Sequence, residues 1–162
     1  MILDLLDLFG GVSKTLPFKH TFDADGLYRD IKKCTVNAEG QIRNFAGYVV
    51  LTAGINVKAQ VVCGRCCKEF ETELCLDIEQ KLTDKLENEE DEFILVEAAK
   101  LDLEDFLRSS IILELPARFV CSGDCKGLCP KCGISLNDSQ CSCNKKDIDP
   151  RLAVLSDFFE EE

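Results

Sequence analysis

The clearest alternation of apolar and polar residues lies in the first half of the chain. Ile55, Val57, Ala59, Val61 and Cys63 alternate with Asn56, Lys58 and Gln60, and a period of two places the two sets on opposite faces of a strand. Residues 69–79 repeat the pattern. Phe70, Thr72, Leu74, Leu76 and Ile78 share one face, while Glu69, Glu71, Glu73, Cys75, Asp77 and Glu79 share the other. Between the two runs stands Cys63-Gly-Arg-Cys66, which predicts a hairpin turn. Asn37-Ala-Glu-Gly40 reads as a further turn, followed by a β-rich run from Phe45 to Leu51. The pattern predicts an antiparallel β-meander over residues 14–82, with one apolar and one solvated face.

Beyond residue 100 the period changes to that of a helix. Asp102 stands at an N-cap position, and Leu103, Phe106, Leu107, Ser110 and Ile111 form one stripe ahead of Pro116. The expected helix, over 102–115, packs that stripe on the sheet. Just before it, residues 84–105 hold ten acidic residues against two lysines, including Glu87-Asn-Glu-Glu-Asp-Glu92. Such a run predicts a solvated acidic loop, here over 84–100. Near the end, Asp149-Pro150 supplies an N-cap and a first-turn proline for a short helix with Leu152, Leu155 and Phe158 or Phe159 on its apolar face. The expected organisation is a β-rich domain over 1–116 and a cysteine-rich module over 117–162.

Composition narrows the function. A chain of 162 residues, 46% hydrophobic, buries a core without covalent staples. No apolar run reaches the length of a membrane-spanning helix. The start, Met1-Ile-Leu-Asp4-Leu-Leu-Asp7, has no basic segment ahead of its apolar residues, which predicts a cytoplasmic protein with no signal peptide. His20 is the one histidine, in a β-like segment where a packing or surface role is the ordinary one, and there is no glycine-rich phosphate loop. Neither an enzyme nor a small-molecule substrate is expected.

The eleven cysteines change the picture most. Their odd number and the cytoplasmic reading argue against a disulfide framework, and their clustering argues for metal. Zinc takes four soft ligands in a tetrahedron, commonly delivered as two close pairs. Cys129-Pro-Lys-Cys132 followed by Gly133 has the form of a knuckle, and Cys141-Ser-Cys143 returns a second pair. Cys121 with Cys125, and Cys63 with Cys66, remain to form a second four-cysteine site. Two zinc ions are the preferred reading, and one ion in the C-terminal cluster is the alternative. Cys34, Cys67 and Cys75 have no obvious partner and read as idle thiols.

Taken in order, Val62-Cys63-Gly-Arg-Cys66 with Phe70, Leu101-Asp-Leu103, Leu113-Glu-Leu-Pro116, Cys121 through Asn137, Cys141-Ser-Cys143 and Asp149-Pro-Arg-Leu152 resemble the YceD-like family over nearly the whole chain. The stretch from Cys121 to Asn137 is the specific part. Cys67, beside the first knuckle, departs from the family pattern. The resemblance implies a non-enzymatic factor for the accumulation of large-subunit ribosomal RNA, and it transfers cysteine positions but no catalytic residues.

The expected partner is therefore a precursor of the large ribosomal subunit, reached through a ribosomal protein or through RNA. Charge weighs between these routes. The chain carries −11 overall, whereas direct RNA binders display basic surface. Residues 117–151 hold six bases against four aspartates, but each zinc tetrathiolate would add −2. Docking of a basic ribosomal protein on the acidic segment suits the charges better. The rival class is a zinc-dependent redox switch or thiol-based stress sensor, which the many cysteines would also serve. A thiol–disulfide enzyme is disfavoured, because strand and not helix follows Cys66. The fold expected is α+β: an antiparallel β-meander or partial barrel, a packed helix and a C-terminal cysteine-rich zinc module.

Overall fold

The computed structural model describes residues 1–45, 48–85 and 93–143. Its elements are β1 (Ile2–Asp4), α1 (Leu6–Phe9), β2 (Thr15–Asp23), β3 (Ile31–Phe45), β4 (Tyr48–Val62), β5 (Glu69–Thr83), β6 (Phe93–Leu95), β7 (Lys100–Asp102) and α2 (Leu103–Glu114). A five-stranded sheet runs in the order β2-β3-β4-β5-β6, and β1 pairs with β7 in a separate two-stranded ribbon. Strands β2 to β5 form the antiparallel meander that the alternation predicts. Three of them are 15 residues long, or about 50 Å each.

The alternation holds strand by strand. Val49, Leu51, Ala53, Ile55, Val57, Ala59 and Val61 are buried, and their even-numbered neighbours on β4 are not. On β5 Ile78 and Leu82 are buried, Phe70, Leu74 and Leu76 pack half-buried on the core, and the acidic set faces out. Helix α2 closes the apolar face through Leu103, Phe106, Leu107 and Ile111, and α1 adds Leu8. Ser110 sits half-buried beside the stripe and donates to the Phe106 carbonyl at 3.0 Å. Arg108 anchors α2 to the sheet edge, donating to the Asp23 carbonyl at 2.7 Å with its guanidinium 5.1 Å from the Phe22 ring centroid. Asp102 caps α2 by accepting from Glu104 N–H at 3.1 Å and also meets the Met1 ammonium at 3.3 Å.

Two readings change. Asn37-Ala-Glu-Gly40 is not a turn, because β3 passes through it with Ala38 and Ile42 in the core. The reversal comes where Phe45 pairs with Tyr48. Gly40 serves close approach instead, since a Cβ there would collide with the Thr52 carbonyl. Within 84–100, the expected acidic loop contains a short strand, Phe93–Leu95, pairing parallel to β5, and then β7. Ile94 packs on the core, so local burial outweighs the charge around it. The segment Glu87–Glu92 and the expected last helix lie outside the described residues. Among the described residues no helix is long and apolar enough to cross a membrane.

Candidate metal centres

The β4–β5 hairpin places Cys63 and Cys66 at its tip, as expected. The chain leaving α2 returns to that tip, where Gly64 N–H donates to the Phe119 carbonyl at 2.8 Å. It thereby brings Cys121 and Cys125 beside the first pair. Cys63 Sγ lies 3.9 Å from Cys125 Sγ, and Cys66 Sγ lies 3.7 Å from Cys121 Sγ. Cys129, Cys132, Cys141 and Cys143 form the second group, and within each group all four sulfurs lie within 4.8 Å of one another. A tetrahedron with metal–sulfur bonds of ~2.3 Å has edges of ~3.8 Å. The spacings fit that figure, and all eleven cysteines are free of disulfides. Each group could hold a metal ion.

The two knuckles share one backbone design. Cys63 N–H donates to the Lys68 carbonyl and Cys129 N–H to the Ile134 carbonyl, each five residues on, at 2.9 Å. Cys67 N–H returns to the Cys63 carbonyl and Gly133 N–H to the Cys129 carbonyl, again at 2.9 Å. That loop needs a positive φ after the second cysteine, and Gly133 supplies it at 73°. In the first knuckle the position falls to Cys67, with φ of 59°. Its thiol is exposed while Cys66 turns into the cluster, so Cys66 is the sulfur brought to the first group.

Four thiols this close cannot all ionise without a cation. Burial opposes ionisation of Cys63, but backbone N–H groups of Cys121, Cys66 and Arg65 outweigh it and bring its pKa to about 6. In the second group, N–H bonds from Cys132 and Lys131 bring Cys129 to about 6 against burial. Cys121 is pushed up to about 12 by burial and by the sulfurs of Cys63, Cys66 and Cys125. Cys143 reaches about 12 through Cys132 first and burial second. A dication at the centre of each group would neutralise that repulsion, so the donor chemistry fits a metal.

Three supports escape a reading of cysteine spacing. Arg65 donates from Nη1 to the Cys125 carbonyl at 3.1 Å and to the Gly123 carbonyl at 3.2 Å, welding the hairpin tip to the loop. Asn137 accepts from Lys126 N–H at 2.7 Å through Oδ1 and donates from Nδ2 to Cys125 Sγ at 3.4 Å. It thus ties the loop between the two groups to a sulfur of the first. Gly127, with φ of 74°, lets the chain pass so close to the hairpin that a Cβ would lie 2.9 Å from the Arg65 carbonyl oxygen. Cys34 and Cys75 stand apart from both groups. Cys34 is buried on the sheet, where desolvation and then Asp25 push its thiol pKa up, and Cys75 faces outward on β5.

Among curated proteins, the chain is 42% identical over 71 residues to an uncharacterized protein of Mycobacterium tuberculosis, covering 44% of this chain and 34% of that one. It is 31% identical over 65 residues to the Arabidopsis thaliana protein named Large ribosomal RNA subunit accumulation protein YCED homolog 1, chloroplastic, covering 40% of this chain and 20% of that one. A Zea mays protein of the same name is 38% identical over 50 residues, covering 30% of this chain and 17% of that one. The matches thus span about a third or less of these relatives' length. No solved structure matches. The family model described as Large ribosomal RNA subunit accumulation protein YceD matches residues 51–159, from the β4–β5 hairpin through both cysteine groups, and the chain belongs to that family.

Proposed function

We propose that this protein is a non-enzymatic factor that supports accumulation of large-subunit ribosomal RNA, with a structural zinc ion in each cysteine group. The carrying observation is the pair of four-sulfur groups inside a chain of this family. Four thiolates complete a zinc tetrahedron and leave no open position for water or substrate, which is the arrangement of a structural site. Zinc in the first group staples the hairpin tip to the segment after α2, and zinc in the second folds the module that follows. The rigid surface so formed binds a precursor of the large subunit in the cytoplasm, through a ribosomal protein or through RNA.

Depletion of the protein in its own cells should lower large-subunit ribosomal RNA relative to small-subunit RNA. The wild-type gene should restore the ratio, whereas a Cys63→Ser/Cys66→Ser gene should not. An unchanged ratio on depletion would refute the proposal. Native mass spectrometry of protein purified under reducing conditions should count two zinc ions that survive mild peroxide. Loss of zinc with disulfide formation would favour the redox switch instead.

A further inference from the structure

Strand β6 covers only Lys81, Leu82 and Thr83 of β5, so among the described residues the edge from Glu69 to Gln80 has no pairing strand. Along that edge alternate residues direct their backbone N–H and C=O away from β4. Outward from it stand Glu69, Glu71, Glu73, Asp77 and Glu79. Lys58 pairs with Glu73 at 3.8 Å, and Gln60 donates to Glu69 at 3.4 Å. Glu71, Asp77 and Glu79 have no ion-pair partner among the described residues. Asp77 lies across from Gly54 and Glu79 across from Thr52, and these residues with Gly40 line an open groove of about 500 Å³.

Aromatic rings stand at the β6 end of the same face. Register sets Arg43, Val50, Lys81 and Phe93 in one row across four strands. Tyr48 stacks on Phe93 with centroids 5.7 Å apart, and Lys81 Nζ lies 5.8 Å from the Phe93 centroid. Tyr48 is 55% exposed and Phe45 beside it 68%. One ring thus already holds a cation, and the others are open to more.

An unpaired strand edge offers backbone hydrogen bonds to an extended segment. Open rings and unpaired carboxylates together select guanidinium and ammonium groups. On such a segment alternate side chains recur about every 6.8 Å, the spacing of Asp77 and Glu79 along β5. We propose that the free edge and outward face of β5 dock an extended arginine- and lysine-rich segment of a partner protein, added as a strand. The proposal rests on the ribosomal reading above and commits it to a protein contact. Acidic residues on an edge also discourage self-association, but that role alone implies no selectivity for cations.

The test is fluorescence anisotropy with the full chain and a labelled peptide of alternating arginine and valine. Glu71→Gln/Asp77→Asn/Glu79→Gln should weaken binding about tenfold, because three exposed ion pairs with the peptide are lost together. Glu97→Gln/Asp105→Asn/Glu114→Gln removes equal charge around α2 and should change binding less than about twofold. Phe45→Ser/Tyr48→Ser should weaken it several-fold, and backbone N-methylation of the peptide should abolish it. Equal losses in the two charge triples, undiminished binding of the N-methylated peptide, or tighter binding of oligouridine than of peptide would each overturn the proposal. These results leave the depletion experiment untouched. A normal RNA ratio on depletion sinks the ribosomal reading whatever the peptide does, whereas a lowered ratio with a failed titration sinks only the docking surface.

Discussion

If both groups hold zinc, they stabilise the fold by unequal amounts, because they close loops of different length. The first joins the hairpin tip to the segment after α2, with Cys63 and Cys125 separated by 62 positions. Treated as a cross-link, closure of that loop is worth about 4 kcal/mol of denatured-chain entropy. The second group closes a loop of about nine residues between Cys132 and Cys141, worth roughly 2.5 kcal/mol on the same scale. That smaller loop lies outside the span of the sheet, so its loss loosens residues 127–143 without releasing the meander. Cys63→Ser/Cys66→Ser should therefore lower the main melting transition by roughly 8–16 °C, taking 2–4 °C per kcal/mol for a chain this size. Cys141→Ser/Cys143→Ser should lower it by less than about 5 °C. Circular dichroism in the far ultraviolet reads the sheet. Hydrogen exchange should show faster opening in the second variant confined to the C-terminal module. Equal shifts for the two variants would refute the cross-link reasoning, and no shift in the first would refute the staple.

Three further outcomes follow from single contacts. Cys67→Gly should stabilise the protein by about 1 kcal/mol in urea titration, because only glycine takes its left-handed backbone without strain, and zinc stoichiometry should not change. Asn137→Ala removes the side chain that holds Cys125 Sγ and should weaken the first group's zinc affinity about 10- to 100-fold in chelator competition. The Met1 ammonium, followed by the α2 N–H groups, holds Asp102 below its ordinary pKa, and Arg108 followed by His20 does so for Glu104. Both carboxylates therefore contribute stability that is complete above their unfolded pKa, near 4, and is lost as pH falls through the folded values. Asp102→Asn should lower stability near pH 7 and flatten the acid limb of the stability curve below about pH 5.

How much of this was legible depended on whether the relevant force acts along the chain or across it. Burial on one face of a strand imposes a period of two, so β4, β5 and the stripe of α2 could be read directly from residue order. The knuckles were equally visible, since Cys63-Gly-Arg-Cys66 and Cys129-Pro-Lys-Cys132 need only a local turn to aim two sulfurs together. Local signals also misled. Asn37-Ala-Glu-Gly40 has the composition of a turn, yet β2 and β4 on either side supply hydrogen bonds and burial that outweigh turn propensity. Phe93–Leu95 is too short, and too deep in an acidic run, to announce itself as a strand.

Sequence by itself therefore determined the alternating strands β4 and β5, the capped helix and the local cysteine pairs, because periodicity and spacing are consequences of backbone geometry that each segment carries alone. Tertiary structure decided the rest. It turned Cys66 and not Cys67 toward Cys121, set Arg65 and Asn137 as braces around Cys125, and, among the described residues, left the edge of β5 open beside the Tyr48 and Phe93 rings. Each of those depends on distances between residues far apart in the chain, and such distances exist only once the sheet has formed and the chain beyond α2 has returned to its tip.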